Sequence, residues 1–324
     1  MLTIYRDEAG SVRESTSPEF PSEVIWIDLL KPTDEEKAFV EYRTHIRVPS
    51  AEALSEIEAT SRLYVDHGVI YLSTPILAQS DTPEAFLSPV GFILSPTVLV
   101  TVRFAELSTF GHVADQVHGD SSLATNMGVF TALLEAIVDR SADVLEGLRG
   151  ELDQISRKVF RGNPAHRSHT VRSTNALRST LSAVGAIGER VSQARDVLLG
   201  VGRIASFARD IGDEWITPEF EVRLGAVLKD VASLNEYEAH LSGKVQFMLD
   251  AVLGYITIEQ NDLFKVLTIA SVVGIPPTLI AGLYGMNFKF MPELELPYAY
   301  PVVLFVTFGL SFLLYLLFKR SGWL

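Results

Sequence analysis

The sequence contains no cysteine among its 324 residues. This absence excludes disulfide bonds and metal sites built on thiolates, and it is compatible with a reducing cytosol. Positive charge is also scarce, since 27 lysine and arginine residues stand against 40 aspartate and glutamate residues, for a formal net charge of -13. Such a chain repels nucleic acid and attracts cations, although a solvated acidic surface is the commonest cause of acidity. We therefore expect no nucleic-acid partner.

Motifs of secreted and catalytic proteins are also missing. The first 22 residues carry charges throughout and no apolar core, so no secretory signal peptide is expected. The chain has neither a phosphate-binding loop nor a nucleophile elbow. Among its 7 histidines, only His166 and His169 weakly match a metal-ligand spacing. The sequence therefore predicts a protein that is not an enzyme.

What the sequence does contain is two long apolar segments near its C-terminal end. The first, Val266 to Tyr284, has 19 uncharged residues and would rise roughly 28 Å as a helix, close to the thickness of the hydrocarbon layer. The second, Tyr298 to Phe318, has 21 uncharged residues and opens with the tyrosines and proline typical of a helix entering an interface. Both are predicted to span a membrane; the alternative is a pair of buried core helices.

Basic residues flank these two spans on one side. Lys265 precedes the first span, and Lys319 and Arg320 follow the second, whereas the connecting loop carries two glutamates and one lysine. The positive-inside rule then places both termini in the cytoplasm and the loop outside. The sequence predicts a multi-pass protein of the plasma (inner) membrane, in contact with its lipids.

The composition changes near residue 118. Before it, short β-rich runs alternate with stretches of helical character, and residues 66–68 have the composition of a hairpin turn. The runs are Val24 to Leu30, Arg62 to Val65, Val69 to Thr74, Val90 to Leu94 and Val98 to Val102. After residue 118, apolar residues recur every three or four positions, as in an amphipathic helical hairpin. We predict an α/β domain over residues 1–117 and a helical hairpin over 118–215.

A very long helix is predicted to follow. Thr217 and Pro218 give an N-cap and a proline at the first helical position, and no further proline occurs before Pro276. The helix from Pro218 to Tyr284 would be roughly 100 Å long, too long for one small domain to bury. It would form a stalk over residues 216–265 and enter a transmembrane hairpin over 266–324.

One face of this helix mixes polar and apolar residues. Asp250 and Asn261 are eleven residues apart, which is three helical turns. The face continues through five residues, here called the stripe: Phe264, Leu267, Ser271, Ile275 and Thr278. Helix packing would explain each apolar member, but Asp250 and Asn261 fit an inner ion site better. Several copies around an axis would make this face the lining of a pore.

Four segments near the C-terminal end form a further pattern: residues 265–268 (KVLT), 277–288 (PTLIAGLYGMNF), 291–294 (MPEL) and 318–324 (FKRSGWL). They resemble the CorA family of divalent-cation channels. The triplet Gly285, Met286 and Asn287 at the end of the first of two C-terminal spans is the signature of that family. The resemblance is close over residues 245–324, whereas over the first 240 only the layout agrees.

The resemblance implies a funnel-shaped homopentamer whose first spans line a pore and whose second spans pack outside it. It implies Mg²⁺ uptake, often with Co²⁺ and Ni²⁺, and makes Mg²⁺ a substrate and regulatory ligand rather than a cofactor. Gly285, Met286 and Asn287 would form the selectivity filter. Five amide oxygens of Asn287 could accept hydrogen bonds from the water shell of Mg²⁺, and Gly285 would let the backbone turn. A helix C-cap is the other interpretation of Asn287.

Two further features fit a pore. Leu267 and Ile275, joined by Phe264, would form apolar rings that exclude water and so gate ion flow. Glu293 and Glu295 would concentrate cations at the outer mouth, unless they are simply solvated loop residues.

Departures from the family pattern occur at three places, one of which is the C-terminal basic cluster, reduced here to Lys319 and Arg320. Pro276 and Pro277 stand where one proline is usual. The acidic stalk residue that family members use for regulatory Mg²⁺ falls on Ala226, with Lys229 and Asp230 nearby. Asp230 is therefore the predicted regulatory ligand.

Other functions fit part of the sequence. A zinc transporter of the same superfamily, with or without coupling to protons, is the nearest alternative. The Gly-Met-Asn triplet and residues 291–294 favour magnesium, because the zinc branch usually alters both. A membrane-anchored sensor or scaffold would share the spans but would conduct no ions.

Overall fold

A computed structural model of the chain describes residues 1–8, 11–15, 24–56, 58, 62–80, 82, 84–119, 123–161, 170–211, 217–286, 289 and 291–323. It divides into two compact units. The first unit comprises Met1–Gly162 and Ser182–Leu249, and the second comprises Asn163–Leu181 and Asp250–Leu324. The predicted boundaries at residues 117, 215 and 265 stay predictions.

Seven strands in the described part of the chain form one sheet in the first unit. They are β1 (Leu2–Glu8), β2 (Ser11–Ser15), β3 (Val24–Leu30), β4 (Leu63–Asp66), β5 (Val69–Ala78), β6 (Phe86–Leu94) and β7 (Leu99–Arg103). Their order is β2-β1-β3-β7-β6-β5-β4, with β3 and β7 parallel and the other neighbours antiparallel. Strands β3, β5 and β7 therefore run in the same direction and end at the same sheet edge.

The described helices lie between and after these strands in sequence. They are α1 (Asp34–Thr44), α2 (Ala51–Leu54), α3 (Ser108–Gly119), α4 (Asn126–Arg161), α5 (Thr170–Ile211), α6 (Pro218–Tyr284), the 3-10 helix Pro292–Glu295, and α7 (Ala299–Arg320). The helix predicted from Pro218 to Tyr284 is confirmed at both ends. The short helix α2 has Ser50 as its N-cap, and the Ser50 hydroxyl accepts a hydrogen bond from the N–H of Ala53.

The β4–β5 hairpin has the predicted two-residue turn. Asp66 pairs with Val69 across it. His67 and Gly68 both adopt positive φ angles, of 50° and 79°, as a tight hairpin turn of this kind requires. Strands β1 and β2 were not predicted, because their short, partly charged sequences give little periodic signal.

Apolar side chains cover both faces of the sheet. Trp26 and Phe92 point to the face packed by α3 and α4, whereas their neighbours Ile27 and Ile93 belong to a second cluster with Val40 of α1. Successive residues of a strand point to opposite faces, so each strand supplies both layers. The sheet is thus buried between two helical layers, as an α/β domain requires.

A buried ion pair joins the two parallel strands. Arg103 Nη2 donates to Asp28 Oδ2 at 2.7 Å, and Thr101 Oγ1 donates to Asp28 Oδ1 at 2.7 Å. The guanidinium of Arg103 also lies 4.8 Å from the ring centre of Phe110. Because both carboxylate oxygens accept hydrogen bonds, this buried charge is compensated.

The long helices extend the core of the first unit. Along α4, Leu145, Leu148 and Leu152 are fully buried, whereas Ile155 and Val159 nearer its C-terminal end are partly buried. Helices α5 and α6 approach closely at two glycines, since a Cβ at Gly188 or Gly202 would lie 3.2 Å from a valine methyl of α6.

The second unit contains the apolar part of α6 and helix α7. Among the residues that the structure describes, these are the two helices long and apolar enough to cross a membrane. Only 6% of the most apolar window of each is buried within the chain. Their outer surfaces therefore need lipid or other copies of the chain as partners.

Candidate ion pathway

The first span, Val266 to Tyr284 of α6, packs on one face against α7. Its buried and partly buried residues recur every three or four positions, at Ile269, Val273, Pro276, Pro277 and Ile280. Those of α7 recur in the same way, at Val303, Thr307, Ser311, Leu314 and Phe318. This periodicity defines one contact face on each helix.

A hydroxyl of α7 compensates for a proline of the first span. Pro277 has no N–H, so the carbonyl of Val273 loses its usual donor four residues later. Ser311 Oγ lies 3.3 Å from that carbonyl oxygen and 3.1 Å from the carbonyl oxygen of Thr307 in its own helix. Its proton can thus serve a backbone group that would otherwise be unsatisfied in lipid. The sequence did not point to Ser311, because nothing local relates it to Pro277.

The stripe lies on the opposite face of the first span. Phe264, Leu267 and Ile275 are 64%, 63% and 60% exposed, and Ser271 and Thr278 are exposed as well. At 3.6 residues per turn, Phe264 and Thr278 lie on the far side of the helix from Val273. The structure therefore places the five predicted lining residues together and leaves them uncovered by α7.

Three stripe residues also line an open groove of about 720 Å³. Its lining residues are Ala270, Ser271, Gly274, Ile275, Thr278, Leu279, Gly282, Leu283 and Met286. Small residues at three of these positions create the depression. The groove is mostly apolar, with hydroxyls at two levels.

The threonine hydroxyls near this face are turned to the backbone. Thr278 Oγ1 donates to the carbonyl oxygen of Gly274 at 2.9 Å, and Thr268 Oγ1 donates to that of Phe264 at 2.8 Å. Because the proton is used within the helix, the hydroxyl oxygen has lone pairs left to accept. Such an oxygen suits the water shell of a cation.

The predicted filter is described only in part. The N–H of Gly285 donates to the carbonyl oxygen of Ala281 at 3.0 Å, and that of Met286 donates to Leu283 at 3.3 Å. Asn287 lies outside the described residues. Gly285 was expected to let the backbone turn, and α6 ends in a turn at this residue, without a positive φ angle.

A close approach also constrains Gly285. A Cβ at this position would lie 3.1 Å from the carbonyl oxygen of Ala281. A larger residue would therefore press on the last turn of α6.

The predicted end sites of the pathway are exposed. Asp250 and Asn261 lie on α6 in the second unit, eleven residues apart, and both are solvent-accessible. Beside Asn261, Lys265 donates to Asp262 at 2.9 Å, so these two neighbouring charges offset each other. Glu293 and Glu295 are exposed in the 3-10 helix after the first span.

The predicted regulatory residue lies among other acids. Asp230 is exposed on α6 in the first unit. The pKa of Asp139 on α4 is raised by desolvation and by the charges of Asp143, Asp230 and Glu135. Glu135 is itself paired with Arg223 at 2.6 Å.

We call Asp139, Asp143 and Asp230 the acidic patch. Residues 139 and 230 are far apart in sequence, so spacing could not relate them. Among the described residues, no group of three acids or histidines has the geometry of a metal site within one chain.

Known proteins resemble this chain along almost its whole length. The chain matches the family model described as CorA-like Mg2+ transporter protein over residues 21–320. It is 31% identical over 317 residues to the magnesium transport protein CorA of Campylobacter jejuni, covering 95% of this chain and 94% of that one. The protein of the same name in Haemophilus influenzae is 30% identical over 301 residues, with 93% and 92% covered.

A solved structure shares the fold. The CorA magnesium transporter from Methanocaldococcus jannaschii superposes with a TM-score of 0.78, covering 100% of this chain and 99% of that one. Sequence identity is 18%, so this likeness concerns architecture: an α/β sheet domain, a long helix and two C-terminal apolar helices.

Proposed function

Because this chain belongs to the CorA-like Mg2+ transporter family, we propose that it carries Mg²⁺ into the cell through a pore at the axis of a homopentamer. The observation that supports this most directly is the stripe, which lies on the face of the first span away from α7. Both termini lie in the cytoplasm, as the flanking basic residues indicate.

The stripe requires partners that lipid cannot provide. Ser271 and Thr278 carry hydroxyls, and Asp250 and Asn261 continue the same face with a carboxylate and an amide. Polar groups of a membrane helix usually face a bundle interior or a water-filled cavity. Five copies around an axis, the number that the family resemblance implies, would bring these groups together around water.

The pore acts on the hydrated ion. Mg²⁺ prefers six oxygen ligands and loses its waters reluctantly, so a pathway of neutral acceptors costs less than one that strips the ion. Rings of Thr278 and Ser271 oxygens, and the amide ring of Asn287 at the filter, would accept hydrogen bonds from the bound waters. Neutral rings also let the ion leave, as conduction requires. Co²⁺ and Ni²⁺ would follow the same path.

The gate is apolar. Rings of Ile275 and Leu267, with Phe264 below them, would narrow the pore with side chains that offer no hydrogen bonds to water. Such a constriction closes by losing its water column. Glu293 and Glu295 would raise the cation concentration at the outer mouth, and Asp250 with Asn261 would receive the ion inside.

Ion uptake by purified protein in liposomes tests the function. Mg²⁺, Zn²⁺, Co²⁺ and Ni²⁺ would be supplied separately, with and without a pH gradient, and protein-free liposomes and Asn287→Ala would serve as controls. We expect Mg²⁺ uptake that needs Asn287 and is unaffected by the gradient. Uptake of Zn²⁺ that exceeds Mg²⁺ and follows the gradient would instead assign a zinc transporter. Liposomes that take up none of the four ions would leave a sensor or scaffold.

A further inference from the structure

A cavity of about 350 Å³ lies in the first unit, where three parallel-running strands end. Lys31 follows β3, Gln79 and Ser80 follow β5, and residues 104–106 follow β7. All of them line the cavity, together with the first turn of α3 and parts of α4 and α5. In open α/β sheets, the crevice outside the carboxyl ends of such strands is where ligands usually bind.

The polar side of this cavity favours an anion. Lys31 and Arg140 line it, against one acid, Glu106; Arg140 Nη1 also lies 3.9 Å from Asp143, which does not line the cavity. Ser108 and Thr109 also line it and begin the 12-residue helix α3. The first turn of a helix presents N–H groups that have no partner within the helix, and its dipole adds positive potential.

The position of Arg140 is set by a buried serine. Arg140 Nε donates to Ser80 Oγ at 2.8 Å, and Ser80 is 8% exposed. Arg190 Nη2 donates to the carbonyl oxygen of the same serine at 3.5 Å. The end of β5 is thus held between two guanidinium groups, and one of them lines the cavity.

A second, independent observation points to a missing ligand. Thr109 is 8% exposed, and its hydroxyl has no hydrogen-bond partner among the described residues. A buried hydroxyl is usually hydrogen-bonded, because leaving it unpaired costs free energy. Thr109 lines the cavity, and rotation of its side chain about χ1 would turn the hydroxyl towards a polar ligand bound there.

We propose that this cavity binds the phosphate group of a small phosphate monoester with an apolar or aromatic body, of the size of a nucleoside monophosphate. The phosphate would lie between Lys31, Arg140 and the first turn of α3. The body would contact the apolar wall, to which Phe86, Phe104 and Leu107 contribute. No residue of either membrane span lines the cavity, so this binding is separate from the ion pathway.

Binding is measured directly on the purified full-length protein, by calorimetry at constant free Mg²⁺ and constant ionic strength. The probes are AMP, inorganic phosphate and adenosine. We expect AMP to bind at one site per chain, inorganic phosphate to displace it at higher concentration, and adenosine alone to bind at least tenfold more weakly. Adenosine as tight as AMP, failure of phosphate to compete, or no AMP binding at millimolar concentration would overturn the proposal.

Two variants locate the site. Lys31→Gln should weaken AMP binding about tenfold, because it removes one charge-assisted contact and leaves a neutral polar side chain. Lys158→Gln, an exposed lysine on α4, is the matched control and should bind AMP like the wild type. Equal affinities in these two variants would rule out the cavity as the site.

Thr109→Val separates a binding role from a structural one. Valine fills the same space without the unpaired hydroxyl, so the unliganded protein should melt at a temperature at least as high as that of the wild type. AMP affinity should nevertheless fall severalfold. A variant that melts as high as the wild type and binds AMP normally would show that the hydroxyl does not contact the ligand.

Discussion

At the scale of single residues, charge and hydrogen bonding determine the effect of each side chain on stability and transport. The acidic patch is an example outside the membrane spans. The pKa of Asp139 is raised by desolvation and by the charges of Asp143 and Asp230, so the folded protein holds a proton there more tightly than the unfolded chain. As pH falls through the raised pKa, protonation of Asp139 increases the free energy of unfolding. This increase is complete below the usual pKa of 3.8. At neutral pH the patch is destabilising unless a cation neutralises it.

Asp139→Asn should therefore stabilise the protein at pH 7 in the absence of divalent cations. The amide keeps the shape of the side chain and removes the repulsion among the three acids. The midpoint of thermal unfolding, measured in EDTA, should rise by about one to a few degrees and should depend less on pH between 4 and 7. Asp196→Asn, an exposed aspartate on α5, is the control. An equal rise in both variants would point to a general effect of net charge.

Asn287 is the residue on which the proposed filter depends. Asn287→Ala should reduce Mg²⁺ uptake in liposomes to the background of protein-free vesicles, because a methyl group cannot accept hydrogen bonds from the hydrated ion. The oligomer should still form, as judged by size-exclusion chromatography. Asn235→Ala, elsewhere on α6, should transport normally. Wild-type uptake by Asn287→Ala would remove the amide from the mechanism.

Ile275 tests the gate with one substitution. Ile275→Asn should wet an apolar ring, so the closed pore should leak and Mg²⁺ flux should persist at Mg²⁺ concentrations that close the wild type. Ile258→Asn introduces the same amide on an exposed part of α6 outside the stripe. Lower conductance in Ile275→Asn, with closure by Mg²⁺ intact, would argue against a gate at this level.

At the scale of secondary-structure elements, the contact between the two spans rests on more than apolar packing. Ser311 serves the Val273 carbonyl that Pro277 leaves without a donor. Ser311→Ala should lower stability in detergent by about 0.5–1.5 kcal/mol, the usual net contribution of such a bond.

The same substitution in a Pro277→Ala background should be nearly neutral, because the restored N–H can serve Val273 itself. This double-mutant cycle isolates the pair. Ser321→Ala, whose hydroxyl bonds to Phe318 of the same helix, is the local control. Equal losses in both backgrounds would mean that Ser311 does not compensate for the proline.

Elements with a strong local signal were predictable from the sequence. The N-cap Thr217 and the following proline gave the start of α6, and uncharged apolar residues gave both spans. Strands β1 and β2 gave no such signal, because β2 is held by pairing with β1 and β1 by pairing with β3, and these contacts exist only in the folded sheet. The helical period of 3.6 residues predicted that the stripe residues share one face of α6. It could not predict the neighbours of Ser311 and Asp230, because these contacts join residues that are far apart in sequence.

At the scale of the whole molecule, net charge becomes a property of the assembly. A pentamer would carry five times the formal charge of -13 of one chain, and its cytoplasmic domains would repel one another at low ionic strength. Mg²⁺ bound between subunits would relieve this repulsion and favour a symmetric closed form, by a shift in population. The pore would then open when cytoplasmic Mg²⁺ falls.

Asp230→Asn should weaken this feedback. The cytoplasmic domain of the wild-type protein should resist limited proteolysis more in millimolar Mg²⁺ than in EDTA. In Asp230→Asn, this difference in protease resistance should be at most half as large. Asp196→Asn should behave like the wild type. If Mg²⁺ changes neither protease resistance nor flux in the wild type, the chain lacks the feedback, and Ala226 in place of the usual acid would be the physical reason.

The parallel pairing of β3 with β7 also sets an order of events during synthesis. Asp28 and Arg103 are 75 residues apart, so the centre of the sheet cannot close until Arg103 has left the ribosome. The first span begins only at Val266, which at about 5–20 residues per second is made roughly 8–30 s later. The sheet therefore has time to fold before any apolar span emerges from the ribosome.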